Sequence, residues 1–498
     1  MTEPCDLSAV AARRLIGARK LSPVELLDSC LARIEAVNPA VNAMVAMDTD
    51  RARVAAKEAE AAVMRGAPLG PLHGLPVGIK DLDETAGLRT TWGSPLFADH
   101  VPAQDGAMVA NLRKAGAIVV GKTNTPEFGA GANTRNVVYG ATGNPFDTTK
   151  SAAGSSGGSG VALACGMVPI ASGSDTGGSL RNPAAFNGIL GFRPSPGVVP
   201  SERRRIGWSP ISVLGPMARN AEDAALMFSA MADDDAVDPL AYTLHGRAVR
   251  RGDRDLFPPL SVDLATLRVA VTPDFGFAPT ERHIREVFAE RVAKLESLFG
   301  RVEAASPDCR GTDEAFEVLR AAEFLAGHLE KVQKTPDKVG PNVRANVEAA
   351  LKYSLHDYSR AAVEQTRIYR GWQGFFERHD LILTPAITLS PRSWRELYPA
   401  EIDGQPTRTY FHWLSLAYAV SLVGHPAASV PLGRDRAGMP FGLQVVGPRG
   451  GDALVLAVAA AIEAAVAGDA ELARPVPDIA ALKAAPPISS MPEFRTWG

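Results

Sequence analysis

The sequence predicts an α/β protein built as one large domain. Three observations predict it: helical and strand-like segments alternate along the chain, 46% of its 498 residues are hydrophobic, and no composition break marks a linker. At roughly 100–200 residues per domain, length alone allows two to four units. The missing linker decides for one, with a helical insertion.

The elements follow in order. Ser22-Pro23-Val24-Glu25 has the form of a capping box with proline at the first helical position; it starts a helix to about residue 37, which Asn38-Pro39 ends. The alanine-rich stretch 49–65 is a further helix. Leu75-Pro76-Val77-Gly78-Ile79-Lys80-Asp81 reads as a short buried strand, 106–115 as a helix and 117–121 as an apolar strand. Glycine, serine and alanine dominate residues 140–191, broken by the apolar run 160–170, of which 161–165 looks helical. Segment 230–260 is charged and patternless, a surface excursion. Strand 267–272, helix 281–298 and strand 302–305 restore the α/β order, and 312–378 reads almost wholly as helix. Strands at 381–384, 428–432 and 441–446 return to the sheet, and helix 451–467 follows. Within one domain spanning 1–498 this gives N-terminal helices (1–65), a core (66–230), a variable, mostly helical region (231–380) and a C-terminal return to the sheet (381–498).

Charge and cysteine usage exclude several classes. The 52 basic and 55 acidic residues nearly balance at a net −3, which gives no electrostatic footprint for nucleic acid or an anionic membrane. Nine scattered histidines and the distant Cys5, Cys30, Cys165 and Cys309 show no metal-ligand spacing, so no metal and no cofactor are expected. Such sparse cysteines fit a reducing compartment. The first residues lack a basic n-region and an apolar h-region, and no stretch approaches 18 uninterrupted apolar residues. A cytoplasmic protein without a membrane span is expected.

Three segments carry candidate chemistry, each ambiguous alone. Lys80 ends an apolar strand: a solvated lysine, or one buried for a purpose. Ala153-Gly154-Ser155-Ser156-Gly157-Gly158-Ser159-Gly160 lacks the Gly-Lys-Ser/Thr ending of a nucleotide loop, which leaves a flexible turn or a close backbone approach before a buried helix. Gly173-Ser174-Asp175-Thr176-Gly177-Gly178-Ser179-Leu180-Arg181 exposes consecutive backbone N–H groups beside a serine, as an oxyanion hole requires, or is another glycine turn.

Together, in this order and spacing, the segments resemble the amidase signature family. The resemblance extends to Gly121-Lys122-Thr123-Asn124-Thr125-Pro126-Glu127-Phe128-Gly129, Pro183-Ala184-Ala185-Phe186-Asn187-Gly188, Gly215-Pro216-Met217-Ala218-Arg219 and Gly442-Leu443-Gln444-Val445-Val446-Gly447-Pro448. It covers about 6–230 and 380–465; Ala153 stands where the family commonly has glycine, and 231–375 matches only loosely. The resemblance implies a central mixed β-sheet covered by helices on both faces. It implies Ser179 as nucleophile, Ser155 (after a cis peptide bond) as bridge and Lys80 as base, with the N–H groups of Thr176, Gly177, Gly178 and Ser179 as oxyanion hole. Ser156, Asp175 and Arg181 are expected to hold the loops.

The chemistry is coherent without the family. A serine hydroxyl needs an adjacent base, and burial can lower a lysine from about 10.4 by several units, so that it becomes one. A Ser–His–Asp hydrolase is the first rival, but there is no G-x-S-x-G elbow and no motif around any histidine. The alternative from another class is the A-type component of a glutaminyl/asparaginyl-tRNA amidotransferase, working with partner chains on charged tRNA. A non-catalytic binding protein is the third. The expected substrate is a small aryl or alkyl amide, with carbamates (urethanes) and esters secondary; a homodimer is compatible with the sequence. Segments 312–378 and 392–413 are expected to line the pocket. Their aromatics are Phe316, Phe324, Tyr353, Tyr358, Trp394, Tyr410, Phe411 and Trp413; such residues more often pack a core, but the density near Tyr410–Trp413 favours an apolar pocket.

Overall fold

The computed structural model describes residues 3–202, 204–233, 235–241, 243–244, 247–248 and 256–497. Its frame is one mixed sheet of 11 strands. In chain order these are β1 (Met44–Met47), β2 (Pro76–Lys80), β3 (Ile118–Thr123), β4 (Ile170–Asp175), β5 (Leu190–Arg193), β6 (Val213–Ala218), β7 (Arg268–Val271), β8 (Arg301–Ala304), β9 (Leu381–Pro385), β10 (Ala427–Arg434) and β11 (Pro440–Val446). Across the sheet the order is β1-β3-β2-β4-β6-β5-β10-β11-β9-β7-β8. β2 runs parallel to β3 and β4, and β7 runs parallel to β8 and β9; the other pairs are antiparallel. The two halves meet where Ala427 of β10 stands opposite Arg193 of β5. One continuous sheet therefore makes one domain, as the missing linker predicts.

Around it lie α1 (Ala9–Gly17), α2 (Pro23–Val41), α3 (Thr49–Met64), α4 (Ala107–Lys114), α5 (Gly157–Ala164), α6 (Arg181–Asn187) and α7 (Ala221–Met231). They are followed by α8 (Arg282–Leu295), α9 (Thr312–Lys334), α10 (Pro341–Ala350), α11 (Leu355–Phe376), α12 (Ser415–Leu422) and α13 (Asp452–Val466). The two-residue period of a strand distributes the core to both faces. Val119 joins a cluster with α1, α4, α7, α8 and α13, while its neighbours Ile118 and Val120 join one with α3 and α5. A third cluster, under α9, α11 and α12, covers the distal half of the sheet through Ala270, Ile382 and Val446. With both faces covered, the strands read as near-continuous apolar runs rather than alternating ones.

The structure departs from the sequence reading at some ends. α2 does not stop at Asn38-Pro39 but runs to Val41, where Asn42 closes it in the left-handed conformation. A proline in the last turn costs one backbone bond yet keeps a helical φ, and the Asn38 side chain accepts the N–H groups of Ala43 and Met44 instead. The helical stretch 312–378 resolves into α9, α10 and α11. Of the surface excursion expected at 230–260, residues 234, 242, 245–246 and 249–255 lie outside the described residues. Among the described residues, no helix is long and apolar enough to cross a membrane.

Candidate active site

β2 sits between β3 and β4, and all five of its residues are buried. Val77 and Ile79 fill one face of the sheet, so the alternation sends Gly78 and Lys80 to the face that carries α5. Lys80 is 0% exposed. Its Nζ lies 2.8 Å from each of three hydroxyl oxygens, those of Ser155, Ser156 and Ser174. Burial pushes the ammonium down to about 7, although Asp83 and Asp175 pull in the opposite direction.

Ser155 and Ser156 reach Lys80 because the Gly-Ser turn before α5 presses on the rest of the chain. The Gly154–Ser155 peptide bond is cis, as the resemblance implies. A Cβ at Gly158 would stand 2.2 Å from the backbone nitrogen of Asn124, so only glycine lets α5 begin there. The Ser156 hydroxyl accepts the Ser174 N–H at 3.3 Å and donates to the Ser174 carbonyl at 3.4 Å.

Ser179 stands in the loop between β4 and α6, half-buried. The Ser156 N–H donates to its carbonyl at 3.3 Å, which clamps the two loops together. The Ser179 hydroxyl itself makes no hydrogen bond among the described residues, so Lys80, Ser155, Ser156 and Ser174 form one connected group and Ser179 adjoins it through its backbone.

Asp175 shapes that loop. Its carboxylate accepts from Gly178 N–H at 2.9 Å, Leu180 N–H at 3.2 Å, Arg181 Nε at 3.0 Å and Nη2 at 2.9 Å, and Arg193 Nη1 at 3.1 Å. Burial alone would raise this carboxyl, but the two fully buried guanidiniums hold it well below the usual carboxylate range. Gly178 differs from its expected part: its N–H is committed to Asp175, and its φ of +104°, with Ala417 Cβ 2.5 Å from where a side chain would begin, makes it a turn residue. The N–H groups of Thr176, Gly177 and Ser179 have no hydrogen-bond acceptor among the described residues.

Beside Lys80 a recess of about 180 Å³ is lined by Ser174 and Asp83. It shares Leu82, Glu84, Arg204 and Ser212 with a cavity of about 950 Å³. Of the eight aromatics that segments 312–378 and 392–413 carry, Phe324 lines this cavity, and Phe316 comes within 3.3 Å of a Cβ placed on Gly177. The others do different work. Trp394 is packed with Phe494 and Ile488 far along the chain, Tyr353 lies exposed between α10 and α11 and Tyr358 exposed on α11, and Tyr410, Phe411 and Trp413 are buried in the core under α12. Sequence reasoning missed Trp92, Phe97, Phe128 and His328 in the cavity wall, and Ser174 on the lysine. Ser174 stands two residues after Ser172, whose hydroxyl accepts the Lys80 backbone N–H at 3.0 Å, on the same side of β4, a relation that only the fold brings out.

Glu3, Cys5 and Asp6 are the one group of potential metal ligands among the described residues. Arg33 engages both carboxylates, at 2.7 and 3.0 Å, which makes the group an ion-pair network.

Comparison with known proteins gives the family. A family model described as Amidase matches residues 25–456. The chain is 33% identical over 470 residues to an acylamidase of Rhodococcus erythropolis, covering 92% of this chain and 95% of that protein. It is 31% identical over 475 residues to a glutamyl-tRNA(Gln) amidotransferase component of Picosynechococcus, covering 90% and 96%. The solved structure of a bacterial aryl acylamidase of the amidase signature family superposes with a TM-score of 0.85 at 27% identity, over 98% of this chain and 99% of that one. A family model that spans most of the sequence and a relative alike over nearly its whole length leave one descent: the chain belongs to the amidase signature family of carbon–nitrogen hydrolases.

Proposed function

We propose that this enzyme hydrolyses small aryl or alkyl amides through an acyl-enzyme on Ser179, with Lys80 as base and Ser155 as proton relay. The observation that carries the reading is the fully buried lysine amine within 2.8 Å of three hydroxyls. A neutral amine has two N–H groups and one lone pair. Ser156 already sends its proton to the Ser174 carbonyl and can only accept from the amine. The lone pair is left for Ser155 or Ser174, and Ser155 is the one whose neighbour clamps the Ser179 loop.

In the first step Ser179 Oγ attacks the substrate carbonyl carbon while its proton passes through Ser155 to Lys80. The negative charge that develops on the carbonyl oxygen faces the uncommitted N–H groups of Thr176, Gly177 and Ser179. The C–N bond then breaks as the leaving nitrogen takes the proton back along the relay. Water attacks the ester on Ser179 by the same route, and the acid departs with Ser179 restored.

An amide with an apolar acyl or aryl part fits the aromatic wall of the cavity, and the acylamidase relative supports that class. Carbamates and esters follow as secondary substrates, since both present the same carbonyl. The amidotransferase relative keeps a second reading in view, a component that feeds ammonia to a partner acting on tRNA. Turnover of simple anilides by the isolated chain separates the two.

Replacing Ser179 by alanine tests the assignment. We expect turnover to vanish with the fold intact, and a fluorophosphonate to label the parent at Ser179 but not the variant. A variant that keeps more than a trace of activity removes Ser179 from the nucleophile's position.

A further inference from the structure

The cavity beside the site has an apolar wall and a basic rim. Its wall is a run of rings: Trp92 and Phe97 with centroids 4.8 Å apart, Phe97 and Phe128 at 6.1 Å, then His328 at 4.6 Å from Phe128 and 5.3 Å from Phe324. The rim is made by Arg205 and Lys331, which converge on one turn of α9. Gly327 has no side chain to separate them: a Cβ there would meet only Arg205 Cγ, at 4.0 Å, while Lys331 Nζ donates to the Gly327 carbonyl at 2.6 Å.

Neither cation has a carboxylate partner among the described residues. Lys331 lies over the Phe128 ring at 5.5 Å, and Arg205 makes no hydrogen bond or ion pair there. The acidic residues of the same cavity are occupied elsewhere: Asp105 is paired with Arg113 at 2.9 Å, Glu84 faces His100 at 3.8 Å, Glu202 accepts the Ala107 N–H, and Glu323 accepts the Ser209 hydroxyl. A further polar atom is unused. His328 Nδ1 is buried and has no hydrogen-bond partner. Burial first, and then Lys331, Arg205 and Arg320, push this imidazole down to about 3, so it is a neutral ring surrounded by positive charge. Two adjacent cations without an ion pair of their own, Glu330 beside Lys331 being paired with Lys334, stand above an apolar wall and favour an anion that brings its own hydrocarbon.

We propose that the cavity is a substrate subsite for an aryl-alkyl group ending in a carboxylate, with the rings along Trp92 to Phe324 holding the hydrocarbon and Arg205 and Lys331 holding the carboxylate. This deepens the reading of Ser179 as an amidase centre: among apolar amides, those with a remote carboxylate are the favoured ones. Arginine offers two parallel N–H groups to such a carboxylate and lysine a point charge, and His328 Nδ1 stands in the same wall as a further hydrogen-bonding atom.

Binding can be read without hydrolysis, so the subsite stands or falls apart from Ser179. Calorimetry on the full chain at low salt compares 4-phenylbutyrate with its neutral and cationic counterparts, 4-phenylbutanol and 4-phenylbutylamine. The expected result is binding of the carboxylate about tenfold tighter than either, as hydrogen bonds to a charged group allow, with the preference lost in R205Q and in K331Q. Thermal unfolding of both variants at the parental temperature shows that they fold. Ser179→Ala keeps the preference, whereas loss of hydrolysis in that variant reports on the chemistry alone. Equal affinity for the three ligands, or a preference that survives both charge removals, overturns the subsite.

Discussion

Three hydroxyls crowd one amine nitrogen at Lys80, and the count of protons there fixes what the site can do at a given pH. As an ammonium, Lys80 donates to all three and has nothing left with which to accept. As an amine, it has a lone pair with which to take the Ser155 proton, as the proposed relay requires. Burial holds it at about 7 rather than near the free value, so below pH 7 the competent form falls about tenfold per pH unit and above it the rate levels off. A profile of kcat/KM against pH on one neutral anilide checks this. A plateau reached only near pH 10 contradicts it. Substitutions should rank accordingly: Ser155→Ala lowers kcat by about 10²–10⁴, the usual reach of general base catalysis, while Ser174→Ala, which removes a neighbour outside the relay, costs about tenfold or less. Equal losses in the two would assign the relay to the wrong serine. That Lys80 and Ser155 come together was legible in the sequence from the order and spacing of their segments, which resemble the family; the role of Ser179 remains the proposal that Ser179→Ala tests. Ser174 and His328 were not legible: the one looks like any strand serine, and the other comes from α9, more than a hundred residues away in sequence and in the region that matches the family loosely.

At the scale of elements, the site is a meeting of the end of β2, the turn into α5 and the β4–α6 loop, and Asp175 is the staple of the last. Its carboxylate holds Gly178 N–H, Leu180 N–H and two guanidiniums that have no exposure at all. Asp175→Asn keeps shape and size but leaves Arg181 and Arg193 as buried charges without a counter-charge, which costs about 3–5 kcal/mol when one partner of a buried pair is removed. Thermal or urea unfolding should show that loss, together with a large drop in kcat as the Ser179 loop relaxes; a variant of parental stability would mean that water, not Asp175, balances the arginines. The sequence predicts these elements well where one period persists, as in α3, β2 and β3. It fails at ends and at packing. α2 ran through Pro39 because the last turn tolerates a missing donor. The fate of the aromatics depended on which helix face meets the cavity, which no local pattern encodes, so Trp394 went to a separate cluster and Phe324 to the cavity wall.

For the whole molecule, the buried lysine sets function against stability. The unfolded chain holds Lys80 protonated up to about pH 10.4, whereas the folded chain releases that proton above about 7. Folding therefore expels a proton between these values. The unfolded state binds more protons there, so stability rises with pH from about 7 to 10, and the penalty is complete at and below pH 7. At about 1.4 kcal/mol per pH unit between the two values the penalty is on the order of 5 kcal/mol. Lys80→Met keeps the length of the side chain and removes that term. It also strips three hydroxyls of a partner, a loss of about 1 kcal/mol each. The methionine variant should then be nearly inactive on amides yet more stable than the parent by about 2 kcal/mol at pH 7, with the gain gone near about pH 8 and turned into a loss of about 2 kcal/mol at pH 9.5. Paired denaturation curves at pH 7 and pH 9.5 measure it. A variant less stable at both, by the same amount, would mean that Lys80 keeps its proton in the folded enzyme, and a charged lysine cannot be the base for Ser179.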